Sequence, residues 1–286
     1  MENRFFLLIF VLIFGSKIFG QELKPFQIFN KNKKEVNYKN LIKECENADV
    51  VLFGELHNNS IIHYIQLKLT QDLGETNNLV LGLEMLETDN QKAIDEYLKD
   101  KINQKKLDST ARLWNNYKTD YKPLVDFAKS KNFPVIATNI PRRYASLVFK
   151  NGLEYLETLP NLDKEYIAPL PILFDINLKS YQEMLQMDMG KQRGENFPKA
   201  QAIKDATMAH FIVRNKKENS IFIHYNGSFH SDFYEGIYWY LKKLDSNLKI
   251  VTISTIEQKD VSKITDENAK KADFIIVTDE LITKTY

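Results

Sequence analysis

Four side chains with acid, base or metal-ligating chemistry stand where short apolar runs end. Glu55 and His57 follow Val50-Val51-Leu52-Phe53, Glu84 follows Leu79-Val80-Leu81-Gly82-Leu83, and His230 follows Ile221-Phe222-Ile223-His224-Tyr225 by a few residues. In Gly54-Glu55-Leu56-His57 the carboxylate and the imidazole are two residues apart, so in extended geometry both project to one side. Such a pair can share a divalent metal such as zinc, or act as a base and its orienting partner. Capping of the next helix is the structural alternative. Glu84 precedes Met85 and Leu86, and a carboxylate in that company must be paired or hold a cation if it is buried. Arg142 or Arg143 would be a purely structural partner. Ser228 stands two residues before His230, but no G-x-S-x-G turn surrounds it, which argues against serine hydrolase chemistry.

Three further residues are expected to support the four from behind: Asn139 and Arg142, after Pro134-Val135-Ile136-Ala137, and Asp205, at the edge of the Ala202-Ala206-Ala209 helical face. His224 lies inside an apolar run and is expected to be buried and hydrogen-bonded. His210 adjoins the Ala face, and His63 flanks a helical stripe beside Gln66.

Positioning these groups requires strands. The runs above, with Leu248–Ile253 and Phe274–Val277, are almost continuously apolar, as parallel strands covered by helices on both faces are. The fold class is therefore α/β, a largely parallel sheet flanked by helices, and ligands of such sheets bind beyond the carboxyl ends of the strands. Ile62, Ile65, Leu69 and Leu73 make one helical stripe after Asn58, Asn59 and Ser60, any of which can cap it. Pro141 opens a second helix that Gly152 ends, Pro198 opens a third, and a fourth is expected from about Phe233 to Leu244. Two stretches, about 86–122 and 153–196, have helical spacing and no strand run. They are expected to form a smaller helical subdomain over the carboxyl edge of the sheet.

Residues 1–20 read as a Sec-type signal peptide, with Arg4, an apolar run Phe5–Phe14, and Gly15, Ser16 and Gly20 before polar sequence begins. The run is too short for a stable membrane span, which takes about 20 residues. No cysteine follows it to carry a lipid. Export to the periplasm or the medium is the expectation, leaving residues 21–286 as one α/β domain with helical insertions. Of 39 basic and 38 acidic residues, removal of Arg4, Lys17 and Glu2 leaves 37 of each. That balance lacks the basic excess nucleic-acid binding requires. The single cysteine, Cys45, forms no intramolecular disulfide and reads as a small buried hydrophobe.

The motifs resemble a known family. Val51-Leu52-Phe53-Gly54-Glu55-Leu56-His57 with His63 and Gln66, Leu83-Glu84-Met85-Leu86 with Gln91, Asp205-Ala206-Thr207-Met208-Ala209, and Gly227-Ser228-Phe229-His230 are similar, in order, to motifs of ChaN-like haem-binding uptake proteins. That family is related to Tiki metalloproteases and erythromycin esterases. The resemblance implies a parallel sheet with a smaller helical subdomain, haem binding by a homodimer, and a part in iron acquisition. It implies that Glu55, His57, Glu84 and His230 form the shared site. A metal-dependent hydrolase using those four is the alternative. The family's lipoproteins carry a lipid on a cysteine directly after the signal, where this sequence has Gln21. An axial haem ligand would be a Tyr or His, and among 14 tyrosines the sequence singles out none.

Overall fold

The computed structural model describes residues 23–187 and 194–286. The expected signal peptide and residues 188–193 of the second expected insertion lie outside the described residues.

Strands β1 (Phe26–Asn30), β2 (Val50–Glu55), β3 (Asn78–Glu87), β4 (Val135–Asn139), β5 (Ser220–Gly227), β6 (Ile250–Gln258) and β7 (Phe274–Asp279) form one sheet in the order β1-β7-β6-β2-β5-β3-β4. β1 runs antiparallel to β7, and the other neighbours are parallel. The helices used below are α1 (Tyr38–Glu46), α2 (Ser60–Gly74), α3 (Gln91–Leu98), α4 (Gln104–Thr110), α5 (Lys122–Lys131), α6 (Arg142–Asn151), α7 (Asn161–Lys164), α8 (Lys179–Met187), α9 (Asn196–Asn215) and α10 (Ile237–Leu244).

Strand alternation sorts the apolar residues into two layers. Val51, Phe53, Leu81, Leu83, Ile223 and Tyr225 pack with Leu41 of α1, the Ile62, Ile65, Leu69 and Leu73 stripe of α2, and Leu124 and Val125 of α5. Val50, Leu52, Val80 and Phe222 pack on the other face with Ala206, Met208, Ala209 and Ile212 of α9 and Ile237 and Leu241 of α10. Burying a side chain of this size contributes about 1.5–3 kcal/mol, which explains why runs apolar on both faces became the central strands. Asn59 caps α2, its Oδ1 accepting from the Ile61 and Ile62 amides at 3.1 Å. Such a cap contributes about 1 kcal/mol.

The expected α/β class holds, and four local readings change. β1 was not expected: Phe26-Gln27-Ile28-Phe29 is short, and an edge strand leaves a weak pattern. β3 does not stop at Glu84 but continues to Glu87, because Met85 and Leu86 are also buried. The helix expected from Phe233 begins at Ile237. Phe233 and Tyr234 have φ of 61° and 60°, which no right-handed helix accepts, and the Phe233 amide bonds the Lys271 carbonyl instead. Pro198 is the third residue of its helix, within the first turn, where no intrahelical amide is needed. The 86–122 stretch holds α3, α4 and a wide turn at Tyr117–Tyr121, while 153–196 holds a tight turn at Leu153–Thr158, then α7 and α8.

Gly236 precedes α10 with φ 53° and ψ −122°, and a methyl there would stand 2.2 Å from the His230 carbonyl oxygen. Gly236→Ala is expected to cost about 2 kcal/mol or more, read as a lower urea midpoint. An unchanged midpoint would contradict the close packing of His230 against this turn.

Candidate functional site: a buried carboxylate and histidine cluster

Three adjacent strands, β2, β5 and β3, bring the cluster together. Their registers set Glu55 beside Gly227 and Leu83 beside Tyr225, so the ends of all three strands are nearly level. Alternation sends the two glutamates to opposite faces. Glu55 has the parity of Val51 and Phe53 and faces α2, and Glu84 has the parity of Val80 and faces α9.

On the α2 side Glu55 is buried and held by three donors. His57 Nδ1 lies 2.8 Å from Oε1, the Tyr121 hydroxyl donates to the same oxygen, and the Gln66 amide donates to Oε2. His63 in turn sits 2.8 Å from the Gln66 amide oxygen and 2.9 Å from the His57 carbonyl. Trp114 meets the His57 ring edge-on at 4.9 Å, and Asn116 donates to the His57 carbonyl at 2.9 Å. Burial pushes the Glu55 carboxyl up, but the His57 hydrogen bond and the neighbouring His63 and His57 rings outweigh it and leave it below its ordinary value. His57 moves the other way: burial lowers it, and the Glu55 and Glu84 carboxylates raise it further than burial lowers it.

On the α9 side His230 bridges two carboxylates. Its Nδ1 is 2.5 Å from Asp205 Oδ1 and its Nε2 is 3.2 Å from Glu84 Oε1. Glu84 Oε2 also accepts the Gly227 amide at 2.7 Å. Burial alone would make His230 neutral, yet Glu84 and Asp205 push it up to about 10, and an imidazolium donates to both. Burial likewise opposes the charge on Glu84, but His230 holds its carboxyl well below the usual range. One cation cannot fully offset two buried carboxylates, and burial leaves Asp205 raised. The Tyr181 hydroxyl, 3.3 Å from Asp205 Oδ2, and the Gln201 amide, 2.9 Å from His230 Nδ1, complete this side.

His57 joins the halves. A methyl on Gly227 would stand 2.8 Å from His57 Nε2, so a glycine there leaves room for the His57 ring beside Glu84, whose Oε2 is 3.6 Å from the same point. With 35% of its side chain exposed, against 8% or less for Glu55, Glu84 and His230, His57 is the member that meets solvent. Backed by Glu55, it can take up or deliver a proton at that surface.

The four expected site residues and Asp205 thus meet. Asn139 and Arg142 do not support them. Asn139 ends β4 with a buried Oδ1 that has no hydrogen-bond partner, and Arg142 is exposed at the start of α6. Arg143, considered above as a partner for Glu84, pairs with Asp89 at 2.5 Å instead. For the expected metal ligand set the structure offers no support: among the described residues no group of three or more His, Cys, Asp or Glu is arranged to hold a metal. The donor atoms are turned toward one another, since both nitrogens of His230 are engaged by carboxylates and His57 Nδ1 by Glu55. His224 is buried as expected, 2.8 Å from the Thr138 hydroxyl and 3.0 Å from Asn226. His210 lies on α9, half-buried against Phe211. Tyr121, Gln201, Tyr181 and Trp114 were not expected. Gln201 stands one helical turn before Asp205, a spacing that could have flagged it, whereas Tyr121 and Trp114 arrive from the 86–122 stretch with no local signal.

Residues 41–241 match the family described as haem-binding uptake, Tiki superfamily, ChaN. The chain belongs to that family. Among solved structures it is similar to ChaN of Campylobacter jejuni, reported with cofacial haem binding, at a TM-score of 0.67 and 19% identity over 88% of this chain and 96% of that one. A Bacillus cereus protein matches at a TM-score of 0.51 and 12% identity, over 84% and 90%. An erythromycin esterase mutant in its open conformation matches at 0.49 and 9%, over 90% and 99%, too remote to bear on chemistry. At these identities the structural likenesses show a shared fold. No curated protein matches the sequence.

The His230 clamp makes stability depend on pH. Because its folded value is raised from 6.5 to about 10, its contribution is complete below about pH 6.5 and is lost as pH rises through about 10. Thermal melts from pH 6 to 10 are expected to show a falling Tm, and His230→Gln a lower Tm at pH 6 with a flatter alkaline slope. Parallel curves for the two proteins would refute the clamp.

Proposed function

We propose that this protein is exported and binds haem as a pair of copies, in haem or iron acquisition. The family match over residues 41–241 carries the reading, and the shared fold with a ChaN described by its cofacial haem binding supports it.

Haem needs an axial donor and an apolar surface for its ring. The cluster offers neither, being closed on itself. The fit lies elsewhere: Tyr155 (40% exposed), Leu162 (74%) and Leu173 (58%) are exposed and fall close together in sequence. Exposed large apolar side chains concentrated in this way suit a ligand or a second copy that covers them. Tyr155, at the turn Leu153–Thr158, is the candidate to hold the iron, and its phenolate would supply the bond to it. The exposed phenols of Tyr64 and Tyr286 lie outside this segment. Export rests on the sequence of residues 1–20 and on nothing in the described structure; among the described residues no helix is long and apolar enough to cross a membrane.

Titration with hemin is expected to give a saturable Soret shift together with a change from one copy to two in sedimentation. Tyr155→Phe is expected to weaken binding at least tenfold and alter the high-spin absorption bands. A titration no different from that of an unrelated protein would remove the haem reading, while an unaffected Tyr155→Phe would move the ligand elsewhere. Expression of the full chain should yield a periplasmic or secreted species whose intact mass begins at Gln21.

A further inference from the structure

Helices α6 and α9 face each other across a groove of about 380 Å³ that the cluster does not use. Its walls come from one stripe of each helix: Arg142, Ala145, Ser146, Phe149 and Lys150 on α6, and Phe197, Ala200, Gln201 and Lys204 on α9, at helical i, i+3, i+4 spacing. Small residues, Ala145 and Ala200, sit in the middle of the stripes. Phe149 and Phe197 meet edge to face at 6.4 Å, and the buried Met184 of α8 adds another apolar side chain.

The cations set this groove apart. Arg142, Lys150 and Lys204 line it, and among the described residues none of the three side chains makes an ion pair or a hydrogen bond, Lys204 acting only through its field on the neighbouring Asp205. The neighbouring basic groups behave otherwise. Arg143 binds Asp89 and stacks on Tyr144, Arg112 binds Glu87 and Asp89, and Lys199 reaches Glu195. Among the described residues no acidic side chain lines the groove. Three like charges around one apolar concavity repel one another, and an anion there would reverse that cost. Guanidinium and ammonium groups are the usual partners of phosphate and carboxylate, and the volume lies within the roughly 300–1,000 Å³ of small-molecule sites. Gln201 forms part of the wall while its amide touches His230, so a single side chain separates the groove from the buried cluster.

We propose that the α6–α9 groove binds a small amphipathic anion, an aromatic or short acyl body carrying a phosphate or carboxylate, with the body against Phe149 and Phe197 and the anion among Arg142, Lys150 and Lys204. This site goes beyond the haem reading and stands independently of it.

Calorimetric titration of the full-length protein with 1-naphthyl phosphate and with 1-naphthoate, against neutral 1-naphthol, tests the proposal. Either anion is expected to bind at least tenfold tighter than naphthol, and the stronger of the two identifies the preferred headgroup. The double variant Arg142→Gln/Lys204→Gln is expected to lose at least tenfold, and Lys243→Gln, on α10 outside the groove, to lose nothing. If the double variant misfolds by circular dichroism, Lys150→Gln, an exposed single change, is expected to weaken binding severalfold. Equal affinity for naphthol and the anions would overturn the proposal, as would equal losses at Lys243 and in the groove or no loss from the groove variants.

Discussion

The sheet edge depends on one interaction, the His230 imidazolium held between the Glu84 and Asp205 carboxylates. Each ion costs several kcal/mol to remove from water, and only mutual attraction with well-placed hydrogen bonds recovers that cost. The Gly227 amide on Glu84 and the Tyr181 hydroxyl near Asp205 supply such bonds. The clamp ties α9 to the ends of β3 and β5, so the strand registers that set Glu55 beside Gly227 and the helix that carries Asp205 are constrained together. Removing one partner of such an arrangement typically costs about 3–5 kcal/mol, since it leaves the others buried and unpaired.

The second half of the cluster follows from strand alternation. Two buried glutamates on strands separated only by β5 would repel if they faced the same layer. Odd and even parity instead send Glu55 to α2, where Tyr121, Gln66 and His57 receive it, and Glu84 to α9. His57 is left as the one link between them, admitted by the missing side chain of Gly227. A proton change at solvent-facing His57 therefore acts on both buried carboxylates, because its field reaches Glu55 and Glu84.

Much of this was legible in the sequence, and the reason is periodicity. Runs apolar on both faces identify strands without knowledge of the partner, and polar residues at their ends mark the ligand-facing edge. Glu55, His57, Glu84, His230 and Asp205 were found that way and by family resemblance. Asn139 and Arg142 stand at and just after the end of β4 much as the cluster's members stand at the ends of their strands, yet neither is hydrogen-bonded to the cluster. β4 is the outermost strand, separated from β5 by β3, so its end is displaced from the centre of the site. Tyr121 and Trp114 left no trace, because their proximity arises from how the 86–122 stretch folds back, which no local pattern encodes. The metal expectation finds no support in the arrangement of these side chains. Residue types reveal which groups can ligate, but the direction of their lone pairs is a property of the packed site.

That direction separates the family's sequence signature from the function proposed for the chain. The motifs lie at the carboxyl edge and build a cluster whose polar groups satisfy one another, so it has little left to offer an iron atom. A haem ligand must come from a side chain the cluster leaves free and exposed, and the surface that buries a porphyrin ring must be apolar. The helical segment after β4 exposes such side chains, Tyr155, Leu162 and Leu173, none of them a member of the cluster. Strand-end charges thus tie the sheet edge to α2 and α9, while the helical segment contributes none of the cluster's paired carboxylates. A cluster closed on itself therefore identifies the family more directly than it identifies a ligand.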